Sequence, residues 1–375
     1  MFNTHEITKS IKVRAREIGF NLVSVSPVKE FSDNQFYKQW LARGYAGEMD
    51  YMERSLEKRT DITQVLPGAK SVICCALNYN TDYPYSTELP DKNRGWISRY
   101  AWSEDYHDVV GGMLKDLNEY LERTIPVPFS SRYYVDTGPV LEKVYSSYAG
   151  IGWIGKNTCL INQEIGSWLF LGELIIDLEL DYDGPATDRC GTCTKCIESC
   201  PTDAIVDPYI LDATRCISYL NIELKGIIPE EFRKNMENNI YGCDICQDVC
   251  PWNKKAPVTS NETFIPRDGL FNPELSDITE MTINNFNQVF KKSPVKRTKM
   301  RGMLRNIMIA IGNSSDKRLM PYVMDAMHND EPVVRASAIW AYGQLSTEDV
   351  TEELNSMLRN EDDPLVREEI LNILN

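Results

Sequence analysis

The 375-residue sequence is poor in histidine, in cationic charge and in long apolar runs. No apolar run approaches the roughly eighteen residues needed to cross a bilayer, so no membrane span is expected. No Gly-x-Gly-x-x-Gly follows a strand pattern, which argues against a Rossmann-type nucleotide site. Only 40 Lys and Arg stand against 55 Asp and Glu, a formal net charge of −15. A general nucleic-acid binder presents a basic surface, so that class is disfavoured, although a local basic strip is not. The 3 histidines, His5, His107 and His328, constrain cofactor ligation. The opening Met1-Phe-Asn-Thr-His-Glu-Ile has neither the basic nor the apolar part of a secretory signal, and a cytoplasmic location is expected.

What the sequence does have is cysteine, concentrated in one stretch. Eight of its 11 cysteines lie between Cys190 and Cys250. The first run is Cys190-Gly-Thr-Cys193-Thr-Lys-Cys196-Ile-Glu-Ser-Cys200-Pro201. The second is Cys243-Asp-Ile-Cys246-Gln-Asp-Val-Cys250-Pro251, with Cys216 between them. The C-x2-C-x2-C-x3-C-P run is the bacterial pattern for iron–sulfur ligation, in which the fourth cysteine serves the other cluster. Eight thiolates make two sets of four: Cys190, Cys193, Cys196 and Cys250, and Cys200, Cys216, Cys243 and Cys246. Zinc ribbons also pair C-x-x-C, but they do not need this run, and disulfides do not persist in a reducing cytosol.

The length accommodates two or three domains with their own cores. An α+β class is expected. Residues 1–180 read as an α/β domain in which strands alternate with helices. Residues 6–20 show helical spacing and stop at Gly19; 22–26 and 71–77 read as strands, the second buried with Cys74 and Cys75 as core residues. Further helices are expected over 34–43 and 107–123, and a strand over 132–136 ends in Asp136. Residues 181–257 form the ferredoxin-like segment and 258–298 a linker. Residues 299–375 are all-helical. There, Asp330-Glu-Pro332-Val-Val-Arg335 and Asp362-Asp-Pro364-Leu-Val-Arg367 repeat a helix start, as in HEAT-type units that bury their apolar faces by stacking.

Two clusters alone imply electron transfer, so an acceptor site is sought in the first half. Asp136, at a strand end before Gly138-Pro139, is placed to project into a cleft. Gly150-Ile-Gly152-Trp-Ile-Gly155-Lys156-Asn157 offers glycines at which backbone could approach a ligand closely, followed by side-chain donors. Asp105-Tyr-His107-Asp-Val-Val-Gly111 approximates the Asp-x-His-x-x-Gly of histidine-ligated corrinoid proteins, but its glycine stands one place too late. Residues 291–305 carry seven basic side chains and no acid, a positive strip in an acidic chain.

The sequence resembles the epoxyqueuosine reductases of tRNA queuosine synthesis. The resemblance rests on Asp105-Tyr-His107, Val135-Asp136-x-x-Pro139-Val-Leu-Glu-Lys143, Gly152-Trp-x-Gly155-Lys-Asn-Thr158, Gly166-Ser-Trp168 with Gly172-Glu173, both cysteine runs, and Tyr241 to Asn253. It implies that the first domain binds cobalamin, reduced to Co(I) by two [4Fe-4S] clusters, and that Asp136 is the proton donor, with its pKa raised by burial. Scarce histidine agrees with a corrinoid lacking a protein imidazole ligand. Cofactor contacts implied are Arg59, Arg99, Asp136, Lys156, Asn157, Ser167, Ser218, Tyr241, Cys243 and Asp244, while Cys159 is expected only to pack. Lys291, Lys292, Lys296, Arg297, Lys299 and Arg301 are the expected RNA contacts. The implied partners are tRNA carrying epoxyqueuosine and an electron-donor protein, and nothing demands more than a monomer. The competing reading, a reductive dehalogenase-like enzyme on a small organic substrate, leaves the strip and repeats without a role.

Overall fold

The computed structural model describes residues 3–281 and 283–375. The chain opens with α1 (Thr4–Ile18), capped by the Asn3 side chain, which accepts from the Glu6 N–H, and ended by Gly19 at φ 121°. Ile11 and Ala15 are buried on one face of α1, the spacing that makes it amphipathic. Then follow β1 (Leu22–Pro27), α2 (Ser32–Ala42), β2 (Ser71–Asn78), α3 (Tyr106–Thr124), β3 (Ser131–Tyr134), α4 (Glu142–Tyr148) and β4 (Leu169–Ile176). The strands form one sheet in the order β1-β2-β4-β3, with every adjacent pair antiparallel. The first 180 residues are therefore helices laid on an antiparallel sheet, the α+β side of the sequence expectation.

Every residue of β2 is buried, because both faces of the sheet are covered. Ile73, Cys75 and Leu77 share one apolar cluster with α1 and α3, while Val72, Cys74 and Ala76 share another with Val144 and Tyr145 of α4. Cys74 and Cys75 are thus core side chains. Gly172 of β4 is needed for this packing, since a Cβ there would stand 2.9 Å from both Val110 and Leu114 of α3.

The cysteine region contains only short elements, among them the helices Lys195–Glu198, Ile217–Ile222 and Ile245–Asp248. Its strand Asn239–Tyr241 pairs in parallel with Trp96–Ile97, which stitches it to the first half. The polar stretch after it is pinned by buried Phe264, Leu270, Phe286 and Phe290.

The C-terminal helices are α5 (Lys299–Ser314), α6 (Met320–Ala326), α7 (Pro332–Leu345), α8 (Thr351–Asn360) and α9 (Pro364–Leu374). Proline in the first turn of α7 and of α9 suits its missing N–H, and Asp363 caps α9 by accepting from the Leu365 N–H at 3.0 Å. Gly312 lets α5 meet α7, because a Cβ there would lie 2.5 Å from the Trp340 ring. One continuous apolar cluster runs from Trp96 and Trp102 through Ile240 to Ile307, Ile339 and Ile370, so the repeats extend the core of the body.

Candidate active site and cluster scaffold

Beyond the end of β3 the chain makes a tight turn that puts Asp136 in a left-handed conformation, φ 56°, rarely adopted by a non-glycine residue. The first turn of α3 delivers two side chains to its carboxylate. Tyr106 Oη donates to Asp136 Oδ2 at 2.9 Å, and His107 Nε2 lies 3.4 Å from the same oxygen. His107 Nδ1 sits 2.7 Å from Asp105 Oδ1, and Asp105 also caps α3 by accepting from the His107 N–H. The Tyr106 ring stacks between His107, at 4.1 Å, and Phe170, at 4.5 Å, which fixes both donors. Asp105-Tyr-His107 is therefore not a corrinoid ligand motif, but a clamp on Asp136.

The electrostatics follow from that clamp. Burial pulls the His107 pKa down, but its hydrogen bonds with Asp105 and Asp136, and their charges, outweigh it and push it to about 9. Asp136 keeps 51% of its side chain exposed; what burial it has pushes it up, yet the contacts of His107 and Tyr106 and the charges of His107 and Arg297 hold it below the ordinary carboxylate value. This departs from the raised Asp136 expected from burial alone: His107, with its Nε2 3.4 Å from Asp136 Oδ2, and the Tyr106 hydroxyl hold the carboxyl down. Behind the turn, the Asp136 backbone N–H donates to Glu142 Oε1, and the Glu142 carboxyl meets that of Glu173. Glu142 is raised to about 7 by burial and by the charge of Asp136, and Glu173 is raised well above its ordinary value by burial and by Glu142.

Arg297, whose charge acts on Asp136, bonds Glu223 at 2.7 Å and lies 5.7 Å over the Tyr51 ring. These residues border a cavity of about 400 Å³ that also takes in Arg54, Lys225 and Arg301. A larger open groove of about 840 Å³, between Met327 and Pro364 in the repeats, shares no residue with this site.

All eight cysteines of the double run are free thiols. Burial raises Cys196, Cys250 and Cys243, and neighbouring sulfurs add to it in two separate sets. Cys196 feels Cys190 and Cys193, and Cys250 feels Cys190 and Cys196. Cys243 feels Cys216 and Cys200, while Cys246, raised first by contact with Cys159 and then by burial, feels Cys243 and Cys216. Cys159 acts on Cys250 of the first set and on Cys216 and Cys246 of the second, so it lies between them. Among the described residues no three His, Cys, Asp or Glu converge as around a single metal ion. Donors already point at the sulfurs: Trp153 Nε1 to Cys190 at 3.4 Å and the Ala204 N–H to Cys200 at 3.3 Å.

Several residues singled out as cofactor contacts are engaged in framing this region. Lys156 Nζ donates to the Gly191 and Cys193 carbonyls, and Asn157 Nδ2 to the Cys246 carbonyl. Ser167 Oγ accepts from Gln247 and Asn253, and Tyr241 Oη donates to the Pro294 carbonyl. Buried Asp244 accepts from Ser98, the Arg99 N–H and Trp96 Nε1. The Arg99 guanidinium bonds Thr81 and the Tyr83 and Pro84 carbonyls among three aromatic rings, so it ties down a loop. Gly152 and Gly155 are required by protein, since a Cβ at either would strike Ile161, 2.3 Å from its carbonyl oxygen or 2.4 Å from its side chain. Arg59 differs: its Nε is buried without a partner and its Nη1 reaches only the Val140 carbonyl, at 3.4 Å. Ser218 stands partly exposed beside Cys216 of the second thiol set, and Cys243, a member of that set, is partly exposed too.

In the basic strip, Lys291, Lys292, Lys296, Arg297 and Lys299 are exposed and Arg301 is partly so, 3.9 Å from Glu331. Arg305 points inward instead and donates to the Leu220, Leu224 and Gly226 carbonyls. The residues that sequence reasoning left without a role are His107, Tyr106, Glu142 and Glu173. All four fell inside motifs already noted, and nothing local showed that they converge.

Fold and site together define a class: an iron–sulfur oxidoreductase with an acid–base centre on an α+β domain and a helical-repeat end. Family models agree segment by segment. Residues 59–137 match "Epoxyqueuosine reductase QueG, DUF1730", residues 189–253 a 4Fe-4S double cluster binding domain, and residues 303–375 HEAT repeats. An epoxyqueuosine reductase of Leadbetterella byssophila is 46% identical over 304 residues, 80% of this chain and 97% of that one. A crystal structure of epoxyqueuosine reductase with an epoxyqueuosine-modified tRNA-Tyr stem loop superposes with a TM-score of 0.91 at 32% identity, covering 99% of each chain. The enzyme from Bacillus subtilis, with its catalytic aspartate loop swung out of the active site, gives 0.89 at 30% identity, again over 99% of each. The chain belongs to the epoxyqueuosine reductase family.

Proposed function

We propose that this chain reduces the epoxide of epoxyqueuosine at the tRNA wobble position to the alkene of queuosine, with Asp136 as the proton donor to the opening oxygen. The observation that carries the reading is the Asp105–His107–Asp136 array, with Tyr106 on the same carboxylate, in a chain that also gathers eight thiols into two sets. The opening epoxide oxygen gains negative charge and needs a proton in the transition state. His107, charged near neutral pH, returns the proton to Asp136, and Tyr106 orients the carboxylate.

Cys190, Cys193, Cys196 and Cys250 are assigned to one [4Fe-4S] cluster, and Cys200, Cys216, Cys243 and Cys246 to the other. Arg59, with donors to spare, Ser218 and Asp136 would be contacts to cobalamin. Lys156, Asn157, Ser167, Tyr241 and Asp244 act there chiefly by holding backbone in place. When bound, cobalamin would supply a strongly reducing cobalt centre for the epoxide carbon, fed by single electrons. Residues 1–180 make the catalytic domain, 181–257 the cluster domain, 258–298 a connector and 299–375 the repeats. Lys291, Lys292, Lys296, Arg297, Lys299 and Arg301 bind tRNA phosphates, and an electron-donor protein supplies the clusters. The protein works as a cytoplasmic monomer, since the thiolates need a reducing compartment and one chain contributes the whole site.

The test is Asp136→Asn. It is expected to fold, to retain the absorbance of both clusters and cobalamin, and to lose single-turnover reduction; near-normal turnover contradicts the assignment.

A further inference from the structure

The cationic strip and the clamp on Asp136 lie far apart in sequence, yet the backbone of one is bonded to the other. The Asp105 N–H donates to the Lys292 carbonyl at 2.9 Å. The Asp105 carboxylate holds His107 Nδ1 at 2.7 Å, and His107 Nε2 lies 3.4 Å from Asp136 Oδ2. Only Asp105 and His107 therefore stand between a lysine of the strip and the carboxylate of the site.

One side chain fastens this junction. Arg267, in the polar stretch after the cysteine region, donates from Nη1 to the Lys291 carbonyl and from Nη2 to the Lys292 carbonyl, each at 2.8 Å. Its Nη2 also lies 2.8 Å from Glu104 Oε1. Its backbone N–H donates to the Trp102 carbonyl at 2.8 Å, so both ends of the residue are held. A planar guanidinium fork can serve two successive carbonyls and a carboxylate at once, which the compact charge of a lysine does not match. Lys292 itself stands at φ 53°, a left-handed conformation that a lysine rarely adopts. Such a conformation persists where the surroundings over-determine it, and here the Lys292 carbonyl receives two donors.

A second tether runs beside the first. Tyr241 Oη donates to the Pro294 carbonyl at 2.7 Å, and the Tyr100 ring lies 6.0 Å from Tyr241 and 6.1 Å from Tyr106 of the clamp. Ser293, Pro294 and Val295 are buried, while Lys291, Lys292, Lys296 and Arg297 on either side are exposed. The strip turns its cations outward and its carbonyls toward the clamp.

We propose that Arg267 is a positioning residue for the reaction. By clasping the Lys291 and Lys292 carbonyls to Glu104, it makes the phosphate-binding strip and the clamp on Asp136 one rigid unit. RNA docked on the strip then presents its wobble nucleotide in register with Asp136. Arg267 touches neither the substrate nor the reacting atoms, and the proposal rests on the tRNA reading above.

Arg267→Ala removes the fork and leaves every cation of the strip in place. At saturating tRNA its single-turnover rate is expected to fall roughly a hundredfold, the cost of a small misplacement of reacting groups, with tRNA affinity little changed. Free guanidinium should restore much of the rate, and sodium chloride at equal ionic strength should not. A wild-type rate, a loss confined to affinity, or equal recovery with salt alone would overturn the proposal. Amide hydrogen exchange in the wild-type holoprotein needs no variant. An anticodon stem-loop lacking the wobble base puts no base into the active centre, and it should slow exchange both in the strip and at the Asp105 N–H. Protection of the strip with no change at Asp105 overturns the proposal even if Arg267→Ala does not fold. If the stem-loop protects neither, the tRNA reading of the strip has failed and the proposal with it. Failure of the wild type to reduce epoxyqueuosine is instead a failure of the function reading.

Discussion

At the scale of single residues, the chemistry is set by what meets Asp136. An aspartate alone at a strand end was legible, because Val135-Asp136 precedes Gly138-Pro139. Its protonation was not, because Tyr106 lies 30 positions away and Glu173 37 positions on, and sequence spacing carries no distance between them. The cysteines were legible for the opposite reason: a cluster constrains local spacing, and residues 189–253 match a 4Fe-4S double cluster binding domain. Gly152 and Gly155 were open to a ligand reading, whereas the hairpin against Ile161 is what needs them. The His107 shift has a consequence for stability. A histidine whose folded pKa stands at about 9, above its ordinary 6.5, stabilises fully below pH 6.5 and loses that contribution as pH rises through about 9. The unfolding midpoint of wild type should therefore fall over that window relative to His107→Gln, which lacks the titration. Parallel curves for the two proteins would contradict the ion pair.

At the scale of elements, helices were easier to read than sheet order. The period of α1 and α3 is written in their own apolar residues, and Gly19 marks the stop of α1. The neighbour of β3 is β4, reached only after α4 and a hairpin, so the order β1-β2-β4-β3 is a non-local outcome. The basic strip shows the same limit. Helical phase turns Arg305 into the core while Lys296 and Lys299 stay exposed, a division invisible in a count of charges. Changing Lys296, Arg297 and Arg301 to Ala should weaken tRNA binding broadly and flatten its log–log salt dependence by about 0.9 for each phosphate no longer neutralised. Measured by titration at several salt concentrations, an unchanged affinity and slope would remove the strip from the interface.

At the scale of the molecule, the repeats are part of the body rather than an appendage. Arg233 of the cluster region forms a two-pronged buried pair with Glu369 of α9, at 2.6 and 2.9 Å, with both side chains nearly inaccessible. Removing one member strands a buried charge, so Glu369→Ala should cost about 3–5 kcal/mol in denaturant unfolding. A loss below about 1 kcal/mol would mean that α9 docks without it. The repeat itself was legible in the two Asp-x-Pro helix starts, but its docking was not, since Arg233 lies far from them in sequence. On the proposed reading, the strip and the Arg297 cavity serve a polyanion and the Asp136 array its small reactive ring. Mass analysis of nucleosides from epoxyqueuosine-bearing tRNA, incubated with the reduced, cobalamin-loaded protein, tests this most directly. Wild type should convert epoxyqueuosine to queuosine with loss of one oxygen while Asp136→Asn leaves it intact; unconverted nucleoside with wild type, or equal conversion by both, would contradict the account.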